Sequence, residues 1–418
     1  MPAIAYLANL FPSTVEPYVV DEIRELRRRG IAVVPSSARK PQPGLDHDLQ
    51  SLALETLQLQ SLRIAPLLRA LWLCVARLPA FSNFLRLAMS QRREPPSRRL
   101  RALMHTLLGA YYAAMLKPHH VQHIHVHHGY FSSWIAMVAA RLLGIGFSMT
   151  LHGSDILLDA AFLDLKLGQC RFCVTISEFN RRQILLDYPG AAPEKILVRR
   201  LGVDDPASQP TSIQRPPIFS ILSAGRLHPV KNHAFLIQAC WLLKCRGLRF
   251  ACRIAGDGSE RGSLEAMIRD FDLQNEVRML GQLPRHQLDE QYAQADLVVL
   301  TSRSEGIPLV LMEAMARGKP VLAPAITGIS ELVIHRKTGF LYSAGSLDEF
   351  ITQVAEIMKT QSALGPMLQA AQEHVVRHFN RETNLAAVCD LFIPYLKTSS
   401  MNPPLEITSG TYENPLLQ

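Results

Sequence analysis

The sequence predicts an α/β protein of two successive domains, each a doubly wound sheet, facing one another across a cleft. Three observations predict it. Strand and helix patterns alternate from residue 3 onward and again from residue 218. A Pro- and Ser-rich stretch, DDPASQPTSIQRPP (204–217), separates the two series and reads as a linker. Within the second series, ADLVVLTS (295–302) runs into TSRSEGIPLVLMEAMARGKPVLAP (301–324), the pattern of strand, loop, helix and strand.

Taken in order, residues 3–10 read as a strand and Val19 to Arg29 as a helix closed by Gly30. IAVVPSS is a second strand. Residues 51–117 read as a helical insert broken at Pro66, Pro79 and Pro95-Pro96. HIHVHH (123–128) alternates like a strand, a helix follows over 131–143, and FSMTLHGSD (147–155) is a strand ending in a polar loop. FCVTISEFNRRQIL is a strand entering a helix, and KILVRRLGVD closes the first domain, 1–203. The second domain, 218–380, takes its strands from IFSILSAGR, FACRIAGDG, VRMLGQL, ADLVVLTS and PVLAP. A helix over 381–397 follows, and the tail 398–418 has no periodicity and is predicted to be disordered.

The segment 301–324 carries the first chemical signal. ADLVVLTS is a β-branched apolar run, the mark of a buried parallel strand. Pro308 suits the first helical position, and Gly318 suits the left-handed residue just past the helix end. The amides of Leu309 and Val310 then lie at a helix N-terminus at a strand's carboxyl end, where an anion binds. Glu305 and Glu313 flank that point, able to accept from hydroxyls on either side of a phosphate. Phosphate flanked by hydroxyls describes a sugar nucleotide; two solvated surface glutamates are the plain alternative. AGRLHPVKN (224–232) ends another strand and brings Arg226 and Lys231 to the same region, where two cations would neutralise a diphosphate.

The chain has 418 residues, 48% of them hydrophobic, enough for two large cores. Its seven scattered cysteines predict a reducing compartment rather than a disulfide framework, and Cys170-x-x-Cys173 reads as core packing. Neither a signal peptide nor an apolar run long enough to span a bilayer is evident, which predicts a cytoplasmic chain. Residues 51–117 hold ten basic and two acidic residues, which accounts for the whole net charge of +8.

These motifs together resemble glycosyltransferase family 4, retaining enzymes of the GT-B fold. AGRLHPVKN, AGDGSE, ADLVVLTSRSEGIPLVLMEAMARGKPV and TGFLY match its donor domain in order and spacing. HIHVHHGYFSSWIAMVAARLLGIGFSMTLHGSD and VTISEFNRRQI resemble the first domain of its bacterial polysaccharide members. The resemblance implies that Arg226, Lys231 and the amides of Leu309 and Val310 hold the donor diphosphate. It implies that Glu305 and His152 act at the sugar, with Gly306 and Ile307 beside them. Glu313 would accept from the ribose, and the turn at Gly281-Gln282-Leu283 would face the base. Ser13, Glu16 and His127 fall on the acceptor side. Implied co-substrates are a UDP- or GDP-sugar and a glycan or lipid-linked acceptor, with no metal, no other cofactor and no nucleic acid. The chain departs from the pattern at Ile307-Pro308, where many members have Phe-Gly, and at Val15, Pro17 and Tyr18 in NLFPSTVEPYVV.

Other readings compete. Asp46-His47-Asp48 is a D-x-D metal motif of a different transferase fold, and His123, His125 and His127 share a strand face as zinc ligands do. A sugar-nucleotide epimerase or a non-catalytic basic membrane- or nucleic-acid-binding protein are the alternative functions. Leu67, Leu68, Leu71, Trp72, Val75 and Leu78 make an apolar stripe at helical spacing, with Arg63, Arg69, Arg77 and Arg86 outside it and Arg92, Arg93, Arg98, Arg99 and Arg101 following. The stripe is either packed on the first domain or laid, over 61–101, on the anionic inner face of the cytoplasmic membrane.

Overall fold

The computed structural model describes residues 1–13, 16–41, 45, 47–91, 94–153, 156, 161–204 and 218–397. The first sheet holds β1 (Ala3–Leu10), β2 (Ala32–Arg39), β3 (Leu57–Gln58), β4 (His123–His127), β5 (Gly146–Leu151), β6 (Cys173–Thr175) and β7 (Ile196–Val198), in the order β3-β2-β1-β4-β5-β6-β7. The second holds β8 (Phe219–Ala224), β9 (Phe250–Ala255), β10 (Val277–Gly281), β11 (Leu297–Val299), β12 (Val321–Pro324) and β13 (Phe340–Tyr342), in the order β10-β9-β8-β11-β12-β13. Every strand pairing is parallel. Helices cover both faces, so even the polar strand β4 is buried along its whole length.

Each sheet reverses direction at its middle. The chain runs outward from β1 to β3 and returns as β4 on the other side of β1; β8, β10 and β11 repeat the move. Ligands of such sheets bind at the carboxyl ends of the strands flanking the reversal. The loops after β1, β4, β8 and β11 are therefore the places to look, and they carry Ser13, His128, Arg226 and Glu305.

The insert differs from its expected form. Pro66, Pro79 and Pro96 lie in the first turns of the helices Ile64–Ala76, Leu78–Ser90 and Pro96–Leu116, so they start helices rather than break them. The first helix packs through Ala70 and Leu73, while Leu67, Leu68, Leu71, Trp72, Val75 and Leu78 are 44–74% exposed. The insert does pack on the first domain, through Leu73, Phe84, Ala88 and Ala102, but the stripe itself faces outward. The first two helices meet at a 93° bend, and no single helix among the described residues is long and apolar enough to cross a bilayer. Arg92 and Arg93, Asp46, the linker from 205 to 217 and the tail from 398 lie outside the described residues.

The carboxyl end crosses back to the first domain as two helices, Arg381–Asp390 and Ile393–Lys397, broken where one helix was expected. Val388, Cys389, Phe392 and Leu396 join Ile4, Tyr6, Val19 and Ile23 in one core. A second tie is polar. The Glu331 carboxylate of the second domain accepts from the amides of Glu178 (3.1 Å) and Phe179 (2.7 Å), which begin a first-domain helix, and from Arg200 at 2.9 Å. All seven cysteines are free, with Cys170 and Cys173 both buried, and burial pushes the Cys170 thiol up to about 12.

Candidate active site

On the second domain, β8 ends at Ala224 and the chain turns through Arg226 to a short helical turn, Pro229–Lys231. Opposite it, β11 leads through Glu305 to the helix Leu309–Ala316. The Arg303 amide donates to the Val230 carbonyl (2.8 Å) and the Thr301 hydroxyl to the Lys231 carbonyl (3.1 Å), which locks the two loops together. Lys231 Nζ then lies 2.6 Å from Glu305 Oε1, and the Ser302 hydroxyl donates to the same oxygen at 2.6 Å. Lysine and glutamate, expected as separate contacts, form one ion pair. Arg226 is exposed nearby.

Pro308 sits one position earlier than expected, as the residue before the helix. Its carbonyl accepts from the amides of Leu311 (3.1 Å) and Met312 (3.4 Å), so the amides of Leu309 and Val310 lie ahead of the helical ladder. Glu313 is buried: Tyr292 donates to its Oε2 at 2.8 Å, and Arg285 pairs with its Oε1. Each carboxylate oxygen retains a further lone pair for a hydroxyl. Burial, then the neighbouring Glu313 charge, hold the Tyr292 hydroxyl well above its ordinary value. At the β10 turn, the Gly281 carbonyl is taken by the Gly256 amide at 2.7 Å, so this part of the expected base-facing turn is used internally. Leu283 lines the cleft, whereas the Ile307 side chain is buried in the core of its own domain.

The two domains also touch at a pair of glycines. A Cβ on Gly306 would lie 2.7 Å from the His152 carbonyl and 2.4 Å from Ile176 Cδ1. Gly153, in the left-handed region at φ +112°, faces Gly306 across that contact. The approach brings His152 of the first domain beside Glu305 of the second. A cleft of about 580 Å³ opens between the domains, lined from one side by Ser13, Tyr18 and Glu22 and from the other by Leu283, Leu309 and Glu313.

The first domain fills its side with imidazoles. His127 Nδ1 is 3.1 Å from His152 Nε2, and His127 Nε2 is 3.2 Å from Glu22 Oε2. Tyr6 donates to that oxygen at 2.5 Å. His128 Nε2 is 2.9 Å from Glu16 Oε1, and Tyr18 stacks on His152 with centroids 4.6 Å apart. Burial, with the neighbouring histidines, holds His152 well below its ordinary value, and burial pushes His123 down to about 3. The three-histidine zinc reading gives way here. His123 Nε2 and His125 Nδ1 share the Ser148 hydroxyl at 2.8 Å each, and His125 Nε2 meets Thr150 at 3.0 Å. Glu22, His125 and His127 do bring one ligating atom each within 4.8 Å of one another. Hydroxyls and a neighbouring ring satisfy those atoms as a hydrogen-bonded cluster. Asp48, part of the D-x-D motif, pairs with Arg24.

Sequence reasoning missed Glu22, Tyr18, His128, Arg285 and Tyr292. Glu22 did leave a signal: it occupies a core position among Val19, Ile23 and Leu26 of an amphipathic helix, Pro17–Arg28. Arg285 and Tyr292 left none, because their partner Glu313 is reached only through packing.

Residues 211–374 match the family described as Glycosyl transferases group 1. The amylovoran biosynthesis glycosyltransferase AmsK of Erwinia amylovora is 29% identical over 297 residues, 66% of this chain and 70% of AmsK. WcaL of Escherichia coli, a glycosyltransferase named for colanic acid biosynthesis, is 34% identical over 201 residues, 46% of this chain; the match spans about half the length of WcaL. Among solved structures, HepE of Anabaena in complex with UDP-glucose superposes with a TM-score of 0.68 at 18% identity, covering 94% of this chain and 100% of that one. A glycosyltransferase from Rickettsia africae gives 0.69 at 18% identity, covering 95% and 99%. At these identities the likeness is one of fold.

Two Rossmann-like domains closing on a helix N-terminus and a Lys–Glu pair define the GT-B frame. The second domain carries the Glycosyl transferases group 1 module, and the chain is a glycosyltransferase similar to enzymes named for bacterial polysaccharide biosynthesis.

Proposed function

We propose that the chain moves a hexose-type sugar, with retention and without a metal, from a UDP- or GDP-sugar to a hydroxyl of a lipid-linked or growing surface polysaccharide. The observation that carries this is the Lys231–Glu305 pair in front of the free end of the helix Leu309–Ala316. When the bond from the anomeric carbon to the diphosphate breaks, negative charge gathers on the leaving phosphate. Arg226, Lys231 and the amides of Leu309 and Val310 stabilise it there, the office a metal fills elsewhere. The acceptor hydroxyl attacks the same face of the oxocarbenium-like sugar and gives its proton to the departing phosphate oxygen. Lys231 and Ser302 hold one oxygen of Glu305. This leaves Oε2 to accept from a sugar hydroxyl, the positioning role assigned to Glu305 in this proposal. HepE was solved with UDP-glucose and AmsK is named for a polysaccharide, which supports this donor and acceptor class.

The outward apolar face of Ile64–Ala76 supports a lipid-linked acceptor. Leu68, Leu71, Trp72 and Val75 project among the exposed Arg63, Arg69, Arg77 and Arg86, the composition that settles into an anionic leaflet. Peripheral contact there, on the inner face of the cytoplasmic membrane, would hold the cleft near a hydroxyl at the bilayer surface. Among the described residues of the insert Trp72 is the one exposed aromatic beside these arginines, too few for a row of stacking rings, which disfavours the nucleic-acid alternative.

The test is a screen of UDP-, GDP- and ADP-sugars, following release of the nucleoside diphosphate. Release from a UDP- or GDP-hexose, with activity near its starting value in EDTA, is expected. Loss in EDTA with recovery on manganese overturns the metal-free mechanism, and conversion to an epimer without release makes the chain an epimerase.

A further inference from the structure

The second domain reaches the first through a carboxylate that the proposed transfer does not use. Glu331 lies on the short helix Ile329–Leu332, beyond β12, and only 15% of its side chain is exposed. Both of its oxygens meet the start of the helix Glu178–Asp187 on the first domain. Oε2 accepts from the Glu178 amide at 3.1 Å and from Arg200 at 2.9 Å, and Oε1 accepts from the Phe179 amide at 2.7 Å. The Ser177 hydroxyl takes the next amide, that of Asn180, at 3.1 Å. The opening amides of a helix have no partner in their own ladder, so the second domain completes a cap that the first leaves open. Arg200 is flanked by a further group of the second domain, the ring of Phe379, 5.8 Å away.

The residues on either side of this cap also touch the loop of Glu305. A Cβ on Gly328 would lie 2.4 Å from the Gly306 carbonyl, so the start of the Glu331 helix rests directly on the Gly306 backbone. The neighbouring Thr327 hydroxyl donates to the Glu305 carbonyl. On the first domain Ile176, two residues before Glu178, packs against Gly306 beside the His152 carbonyl. We infer that Glu331 is a positioning residue: by capping the helix Glu178–Asp187 it holds the loop of Glu305 in register with the first domain. The inference rests on the transferase function proposed above and deepens it. The groups assigned to the nucleotide, Arg226, Lys231 and Glu313, all belong to the second domain, so binding a nucleotide does not need the register. Transfer does need it, because the groups assigned to the acceptor, Ser13 and Glu16, belong to the first domain.

The experiment pairs hydrogen–deuterium exchange with turnover, both on the full chain. In the wild type the amides of 178–180 should exchange slowly, unlike those of an open helix end. Glu331→Ala should speed exchange there and also over 303–307 and 148–153, because losing the cap frees both sides of the Gly306 contact. It should lower kcat about tenfold, the lower end expected for losing a charged hydrogen-bond acceptor. Binding of UDP or GDP alone, measured by calorimetry, should stay within about twofold, since no group assigned to the nucleotide is altered. Glu331→Gln keeps the size but turns an NH2 toward one of the amide hydrogens, so it should move the same readings in the same direction by less. Wild-type amides of 178–180 that exchange like an open helix end overturn the inference. So does Glu331→Ala with faster exchange confined to 178–180, with kcat unchanged, or with nucleotide affinity falling as far as kcat. Should Glu331→Ala fail to fold, Glu331→Gln read against the same outcomes decides. Should no sugar nucleotide be turned over, the transferase proposal fails separately, and exchange over 303–307 and 148–153 still decides whether Glu331 sets the register.

Discussion

The two faces of the cleft rest on the same sheet topology yet use opposite electrostatics. The second domain works with full charges held in pairs: Lys231 with Glu305, Arg285 with Glu313. The first domain works with imidazoles that burial keeps neutral, His125 and His152 well below their ordinary value and His123 at about 3. A diphosphate brings charge and calls for cations and amides. A sugar or an acceptor hydroxyl is neutral and calls for acceptors of fixed direction. On the second domain these groups sit on loops at strand ends, whereas on the first His123 and His125 belong to β4 itself.

The largest expected effect strikes the charged face. Lys231→Ala removes a charge-assisted contact worth roughly 1.5–3 kcal/mol, so transfer should slow roughly 10- to 100-fold. Arg226→Ala should weaken nucleotide-sugar binding in the same way, more mildly because the side chain is exposed. Full activity in both variants would break the contrast, since the second domain would then need no cations.

A smaller effect concerns the outer surface of the neutral face. Cosedimentation with anionic vesicles should exceed that with neutral ones and fall at high salt. Each of Arg63→Gln and Arg69→Gln should weaken it about fivefold, the equivalent of ~1 kcal/mol per arginine. Trp72→Asp should abolish it without lowering Tm, because Trp72 is exposed. Equal binding to both vesicle types would remove the membrane from the account.

The smallest effect is on stability, of order a few degrees in Tm. Histidines whose folded value is depressed bind protons in the unfolded chain first. Their stabilisation is therefore complete above the unfolded value near pH ~6.5 and is lost as pH falls below it. His123, His125 and His152 in the first domain outnumber the strongly depressed His233, at about 4, in the second. Between pH 7 and 5, Tm of the wild type should fall more steeply than that of His123→Phe. Parallel slopes would show that the imidazole cluster does not set the acid limit.

Much of this was readable along the chain, where the relation is local. The loop of Glu305 and the helix Leu309–Ala316 follow from a β-branched run, a proline and a left-handed glycine within 24 residues. Backbone ladders and hydrophobic periodicity act over one or two turns, so order and type of element are written in neighbouring residues. The doubly wound class, the helix end at Leu309 and Val310 and the place of Arg226 and Lys231 beyond a strand end were of this kind. So was the existence of an apolar stripe on Ile64–Ala76, but not its direction. Periodicity marks a face, and only the position of the neighbouring helix shows that Ala70 and Leu73 are covered while Trp72 is not.

The rest depended on contacts between segments far apart in sequence. Glu22 and His127 are 105 residues apart, and Arg285 and Glu313 are 28. Sheet order alone sets β1 beside β4, and so lets the first helix lay Glu22 against a histidine at the end of β4. The same holds for the closing of Gly153 on Gly306, which no local pattern encodes. Side-chain hydrogen bonds reach about 3 Å, so they exist only once packing has brought their groups that close. Which ions are paired, which imidazoles stay neutral and which apolar face remains outward were settled at that stage.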